Sequence, residues 1–388
     1  MSKYLDDLGR TVLILLVVFV SVNIGSSLYG VEVLPINEPK PLEPRQALLQ
    51  VFDRFPLVAI SKAHGMKEEA DFIASLIRDP EFAKKVNDIV LEAGNARYQE
   101  ILDRYIAGYA VSIQKLRIVW REHTCSALGP RDSSNVEQLL STVRAVNQKL
   151  PSTRRLRVLA GDPPIDWSKV HTAEELSPWL AQRETHYADV VEKYVLAKKR
   201  KALLIIGGVH LERGPLPNND PLKGVMLQIL EAKYPGKTFI VFPHEGFGEA
   251  HKEMGKRMAS WPRPSLIFLE GTWLGAVSTG DLQVLDVMVD DNGNRVFSGP
   301  SQKNLSDKAD AYLYLGPGES LTMEPRDPAL YLDDAYFNEM NCRHKLAFGR
   351  ELDRDELMKP RPKKWADNFR GDVLFNSPLT EDHIKPLK

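Results

Sequence analysis

Two histidines stand just past apolar runs, where a side chain can reach a substrate or a metal. His64 lies in Ser61-Lys62-Ala63-His64-Gly65 after Leu57-Val58-Ala59-Ile60, and His210 in Gly207-Gly208-Val209-His210 after Ala202 to Ile206. Glu92 ends a third run, Ile89-Val90-Leu91, and Asp162 a fourth, Leu159-Ala160-Gly161. Open α/β sheets gather ligand-binding groups at such strand ends. Two imidazoles and a carboxylate approaching from neighbouring strands could hold zinc, manganese or cobalt, or form a general base with its orienting partner. Singly, each has a plainer reading as a helix cap or loop anchor. Together, with a glycine close to His64, Glu92 and His210 to permit tight turns, they suggest one site.

Other candidates surround this set. Arg97 begins a helix near Glu92, where it could pair with that glutamate, clamp a substrate anion or sit solvated. His244, in Phe242-Pro243-His244-Glu245-Gly246, ends a further run and is read as pocket lining. His251 follows at a spacing that is not the His-Glu-x-x-His of a helical zinc site. Gly-x-Ser-x-Gly is absent, against a serine hydrolase of the α/β-hydrolase type. The run Lys198-Lys199-Arg200-Lys201 ends a helical pattern, where cations satisfy terminal carbonyls and the helix dipole; a basic docking patch is the alternative.

The elements that must position these residues follow from the alternation of short apolar runs with longer helical patterns. Strands are expected at 57–60, 88–91, 156–160, 203–206, 239–242 and 266–269, with a late strand over 310–316 closing the sheet, and helices at 68–77, 98–106 and 116–120. This predicts an α/β fold, a mainly parallel sheet with helices on both faces and a pocket at the strand ends. The domain should span 47–350, after a proline-rich linker at 31–46 and before a charged, proline-containing tail at 351–388.

With 51 basic and 52 acidic residues, nothing electrostatic points to nucleic acid. Residues 11–22 are almost wholly apolar, with Lys3 and Arg10 before them and Gly25-Ser26-Ser27 after. Residues 1–30 therefore read as a cleaved signal or, extended through Tyr29, as an uncleaved membrane anchor near the ~20 residues a span needs. Both place the body outside the cytoplasm, in the periplasm or extracellular space; a buried soluble helix is the third reading. Cys125 and Cys342 are too few for a disulfide framework, although they could pair in an oxidising compartment.

Over roughly 55–214 the histidine past the first strand, the glutamate ending the next and the Gly-x-x-His element resemble the superfamily of Tiki proteases, erythromycin esterases and ChaN-like haem-binding lipoproteins. Arg183-Glu184-Thr185-His186-Tyr187-Ala188 matches an Arg-x-x-x-x-Ala element, where ChaN-like relatives carry Arg-Asp. The resemblance implies that His64, Glu92 and His210 occupy functional positions. Relatives usually read Gly-Glu-x-His first; here Ser61 and Lys62 replace the glycine and the acid. An ammonium there opposes a bound cation, unless Lys62 faces the other side of the sheet or neutralises an anionic substrate.

Two functions are expected from this. One is an exported hydrolase of ester or amide bonds in a small molecule or peptide, with His64 as base or first ligand, Glu92 orienting, His210 as second ligand or acid and Arg183 stabilising substrate charge. The other is a non-catalytic envelope protein holding haem against Tyr98, Tyr105, Tyr109 and Trp120.

Overall fold

Among the described residues, short runs rich in Val, Ile, Leu and aromatic residues become strands, as residues suited to a pleated surface should. In the computed structural model they are β1 Leu57–Ser61, β2 Asp88–Asn95, β3 Arg157–Asp162, β4 Ala202–Ile206, β5 Thr238–Pro243, β6 Ser265–Phe268, β7 Leu285–Val289, β8 Arg295–Pro300 and β9 Ala311–Tyr314. The structure describes residues 37–368 except 131, 247–248, 283–284 and 290–294. The signal or anchor segment 1–30, the first part of the linker and residues 369–388 lie outside the described residues.

Seven strands form one sheet in the order β3-β2-β4-β1-β5-β9-β6, and β7 pairs with β8 alone. Every pairing in the large sheet is parallel except β6 with β9. Alternate residues feed opposite cores, as a pleat requires. Val58, Ile60, Ile89, Leu91 and Leu203 face the helices Pro44–Arg54, Lys67–Arg78, Gln99–Ile106, Ile113–Arg121 and Ser134–Asn147 through Phe52, Leu76, Leu102, Trp120 and Leu140. Leu57, Ala59, Val90 and Leu204 face the helices Arg183–Tyr194, Met226–Lys233 and Glu249–Arg257 through Tyr187, Leu230 and Met254. The fold is α/β with helices on both faces.

The late strand departs from expectation in position. β9 does not close the sheet but inserts between β5 and β6, pairing parallel with one and antiparallel with the other. All four of its residues are fully buried, as its interior place allows. Both sheet edges are covered. Leu42 exchanges backbone bonds of 2.9 and 3.0 Å with Leu266 beside β6. On the β3 edge the Gln99 side chain donates to the Val158 carbonyl and accepts from the Ala160 amide, both at 2.8 Å, taking the place of a neighbouring strand.

The first described helix starts at Pro44, ahead of the expected onset. Proline suits the first helical turn, and the Glu43 carboxylate accepts from the Gln46 amide at 2.8 Å. In the charged tail, Trp365 is buried and its amide donates to the Leu321 carbonyl at 2.8 Å. Cys125 is buried and Cys342 exposed, and the two do not pair.

Candidate functional site

The strand order places β2, β4 and β1 side by side, so Glu92, His210 and His64 emerge together at their carboxyl ends. The β2–β3 register shifts between Leu91 and Asn95, releasing Glu92 from a regular ladder. Its Oε2 accepts the Gly207 amide at 2.7 Å. The turn Gly208–His210 then brings His210 Nε2 to 3.4 Å from Glu92 Oε1. The other ring nitrogen, Nδ1, lies 2.8 Å from Glu184 Oε1, so a carboxylate faces each side of this fully buried imidazole. Glu184 is held in turn by the Met226 amide at 2.9 Å, at the start of a helix whose dipole favours an anion. The Tyr187 ring packs edge-on against His210 with centroids 4.9 Å apart.

A second carboxylate fixes the cation of the set. Arg183 Nη2 lies 3.6 Å from Glu92 Oε1, while its Nε donates to Asp162 Oδ1 at 3.3 Å and its Nη2 to the Tyr187 hydroxyl at 2.8 Å. Asp162 also accepts from the Thr124 amide at 2.6 Å, the Thr124 hydroxyl at 2.7 Å and the Tyr187 hydroxyl at 3.0 Å. Burial pushes the Asp162 carboxyl up against the pull of Arg183 and these donors. At Glu92 the balance is reversed. Burial again raises the carboxyl, but the His210 hydrogen bond and the charges of His64, His210 and Arg183 outweigh it and hold Glu92 well below the usual carboxylate range. Glu92 is therefore an anion at neutral pH.

His64 is the solvent-facing member. It is exposed, and its Nε2 and Glu92 Oε2 each lie 3.3 Å from the point where a Cβ on residue 207 would stand. A side chain at 207 would press on both groups, so the glycine leaves room between the imidazole and the carboxylate. Ser61 shares this face of the sheet, since its hydroxyl lies 2.7 Å from a Cβ position at Gly208.

Lys62 lies just past β1, its amide donating to the Ile206 carbonyl at 3.0 Å. Strand alternation sends it to the opposite face from Ser61, toward the helix Lys67–Arg78. There Glu69 accepts the Ala63 amide at 3.1 and 3.2 Å. Burial pushes the Glu69 carboxyl up to about 8; the Ala63 amide and Lys62 oppose this rise and Glu245 adds to it. Burial likewise pushes Glu245 up to about 7. Both carboxyls hold protons more tightly when folded than unfolded, where glutamate titrates near ~4.3. The stability they contribute is complete below that value and is lost as pH rises through about 7 and about 8. Chemical denaturation should show stability falling over that interval, with Glu69→Gln flattening the slope. An unchanged slope would mean that Glu69 is ionised in the folded chain.

The remaining expected residues fall elsewhere or act indirectly. Arg97 turns away from Glu92 and pairs with Asp166 at 2.9 Å. His244 is fully buried, with Nδ1 2.7 Å from the Tyr312 hydroxyl, and presents no surface to a substrate. Asp162 and Arg183 are buried and occupied with each other and with Tyr187, so they hold Glu92 rather than touch a ligand. Trp120 is core, Tyr98 bonds Glu122 and Tyr105 packs under Arg144, leaving Tyr109 alone exposed of the four aromatics expected to face haem.

The His64, Glu92 and His210 set offers an imidazole, a carboxylate and a second imidazole for proton transfer. Both His210 nitrogens face carboxylates, and the Arg183 cation lies against Glu92. Among the described residues no group of three or more His, Cys, Asp or Glu side chains is arranged to hold a metal. Glu184, Tyr187 and Glu69 are absent from the strand-end pattern. Their signal lies in the helices, where the charge or hydroxyl falls on a buried stripe.

No family model matches the chain, and no curated protein matches it. Four solved structures match. A Bacillus cereus protein is 13% identical, with a TM-score of 0.44 over 72% of this chain and 95% of its own. The erythromycin esterase EreC in its open conformation is 12% identical, TM-score 0.44, over 72% and 94%. ChaN of Campylobacter jejuni, solved with cofacial haem, is 13% identical, TM-score 0.31, over 55% and 94%. An erythromycin esterase and a ChaN protein, the kinds of protein that the strand-end motifs resemble, thus stand among the matches, and the cleavage and haem binding in their names are properties of those proteins.

Proposed function

We propose that this chain is an exported hydrolase of ester or amide bonds, with His64 as the general base. The observation that supports this is the pairing of an exposed imidazole with a buried, ionised Glu92 across Gly207. The nearby anion balances the charge that the His64 imidazole gains when it takes a proton from a water attacking a carbonyl carbon. His210 and Arg183 keep Glu92 charged, while Glu184 and Asp162 hold those two in turn. As the tetrahedral intermediate collapses, the proton on His64 passes to the leaving oxygen or nitrogen. No step requires a metal. Export rests on the apolar run at 11–22 and its flanking residues.

The test is a screen of ester and peptide substrates with the purified chain, with and without a chelator. Hydrolysis should survive chelation and be lost in His64→Ala. Activity that disappears with chelator would replace this reading with a metal-dependent one, and activity retained in His64→Ala would remove His64 as the base.

A further inference from the structure

At the opposite end of the sheet, where β4, β1 and β5 begin, lies a cavity of about 260 Å3. Four cations line it, Lys199, Arg200, Lys201 and Lys237, over an apolar floor from Pro56, Leu196 and Tyr234. No carboxylate lines it. Arg200 donates to Asp88 at 2.6 Å, but Arg157 reaches the same carboxylate at 2.7 Å, so that one anion faces two guanidinium groups. Lys201 donates to the Phe52 carbonyl, in the last turn of the helix Pro44–Arg54. Among the described residues, no ion pair occupies Lys199 or Lys237.

The plainest account is that these cations neutralise helix ends. The helices Pro44–Arg54, Arg183–Tyr194 and Met226–Lys233 all finish nearby, the second through the short turn Leu196–Lys198. Each such end carries about half a negative charge, so three of them leave the four cations in surplus. Lys199 adds a separate observation. Its φ is 53°, a left-handed conformation that costs a lysine about 1–2 kcal/mol and glycine almost nothing. This residue caps the turn Leu196–Lys198, its amide donating to the Leu196 carbonyl, and the cap fixes where its side chain leaves the backbone beside the cavity.

We propose that this cavity is a binding site for a phosphomonoester. A dianionic tetrahedral group can accept from several ammonium and guanidinium donors at once, which a single planar carboxylate cannot match. The floor of Pro56, Leu196 and Tyr234 gives the organic part of the ester an apolar contact. A cavity this size, below the ~300 Å3 at which drug-sized pockets begin, selects a small ester or a lipid headgroup.

The experiment titrates glycerol 3-phosphate into the full chain by calorimetry and, in a second arm, measures co-sedimentation with phosphatidylcholine vesicles with and without phosphatidic acid. Binding is expected in at least one arm, weakening as salt rises from about 50 to about 300 mM, and falling at least about tenfold in Lys199→Gly/Lys237→Gln. Glycine relaxes the backbone at 199, so lost binding in a variant that unfolds like the parent reports the ammonium. Binding of the soluble ester assigns a metabolite source, and binding only to phosphatidic acid vesicles assigns a lipid. No binding in either arm, or binding that the double variant leaves unchanged, overturns the proposal.

Discussion

Glu92→Gln should reduce kcat/KM for any ester or amide the chain hydrolyses by about 10²- to 10⁴-fold, the range expected when a general base loses its supporting charge. Glutamine keeps an oxygen for the Gly207 amide, now 2.7 Å from Glu92 Oε2, so the turn before His210 can persist. What disappears is the anion facing His64. A charge-retaining variant separates this loss from a merely structural one. Glu92 sits well below the ordinary carboxylate range, so it stays ionised around neutral pH and the loss in the variant should be of similar size across that range. Glu92→Asp, which keeps the charge, should lose much less kcat/KM than Glu92→Gln. A Glu92→Gln variant that keeps the parent rate, or a Glu92→Asp variant that loses as much, would show that the Glu92 charge does not support His64.

The backbone of this arrangement was legible in the sequence because strand-end position depends on local chemistry. Apolar runs of strand length, each followed by glycine and a polar residue, located the ends of β1, β2, β3 and β4. Parallel order then brought Glu92, His210 and His64 together. Direction of side chains was harder to read. Lys62 is one residue from Ser61, and that single step puts it on the other face, where its charge acts on Glu69. Arg97 is close to Glu92 in sequence, yet the turn at Asn95 aims it at Asp166. The long-range partners of a strand, including β9 between β5 and β6, depend on tertiary pairing and leave no local mark.

The supporting residues did leave a mark, in helical phase. Glu69, Phe72, Ile73 and Leu76 lie at i, i+3, i+4 and i+7 on one buried stripe, and Glu184, Tyr187, Ala188 and Val191 on another. A carboxylate in an otherwise apolar stripe must find a donor or stay protonated. Glu184 found the His210 imidazole and the Met226 amide, whereas Glu69 found one backbone amide and remains high in pKa. A charged residue in phase with a buried face is thus as informative here as a histidine at a strand end.

Arg183→Met should cost about 3–5 kcal/mol of stability, the usual penalty for removing one partner from a buried ionic group. Methionine fills much of the volume, so the loss is electrostatic rather than a cavity. Two buried carboxylates then face each other's neighbourhood without their shared cation, Asp162 at 3.3 Å and Glu92 at 3.6 Å from the missing nitrogens. The dependence on pH identifies the cause. In the parent, the depressed Glu92 carboxyl contributes stability above the unfolded value near ~4.3, lost as pH falls through its folded value. In the variant that contribution shrinks, and Asp162, already raised by burial, rises further and penalises the folded state above its own unfolded value near ~3.9. The gap between parent and variant should therefore be widest at neutral pH and narrow as the solution is acidified toward ~4. Urea titrations at several pH values would read it as a lower midpoint at unchanged slope. Asp162→Asn in the Arg183→Met background should recover part of the loss, because it removes one of the two stranded charges. A penalty below about 1 kcal/mol, or one that does not change with pH, would mean that Arg183 carries packing rather than the charge balance of the site.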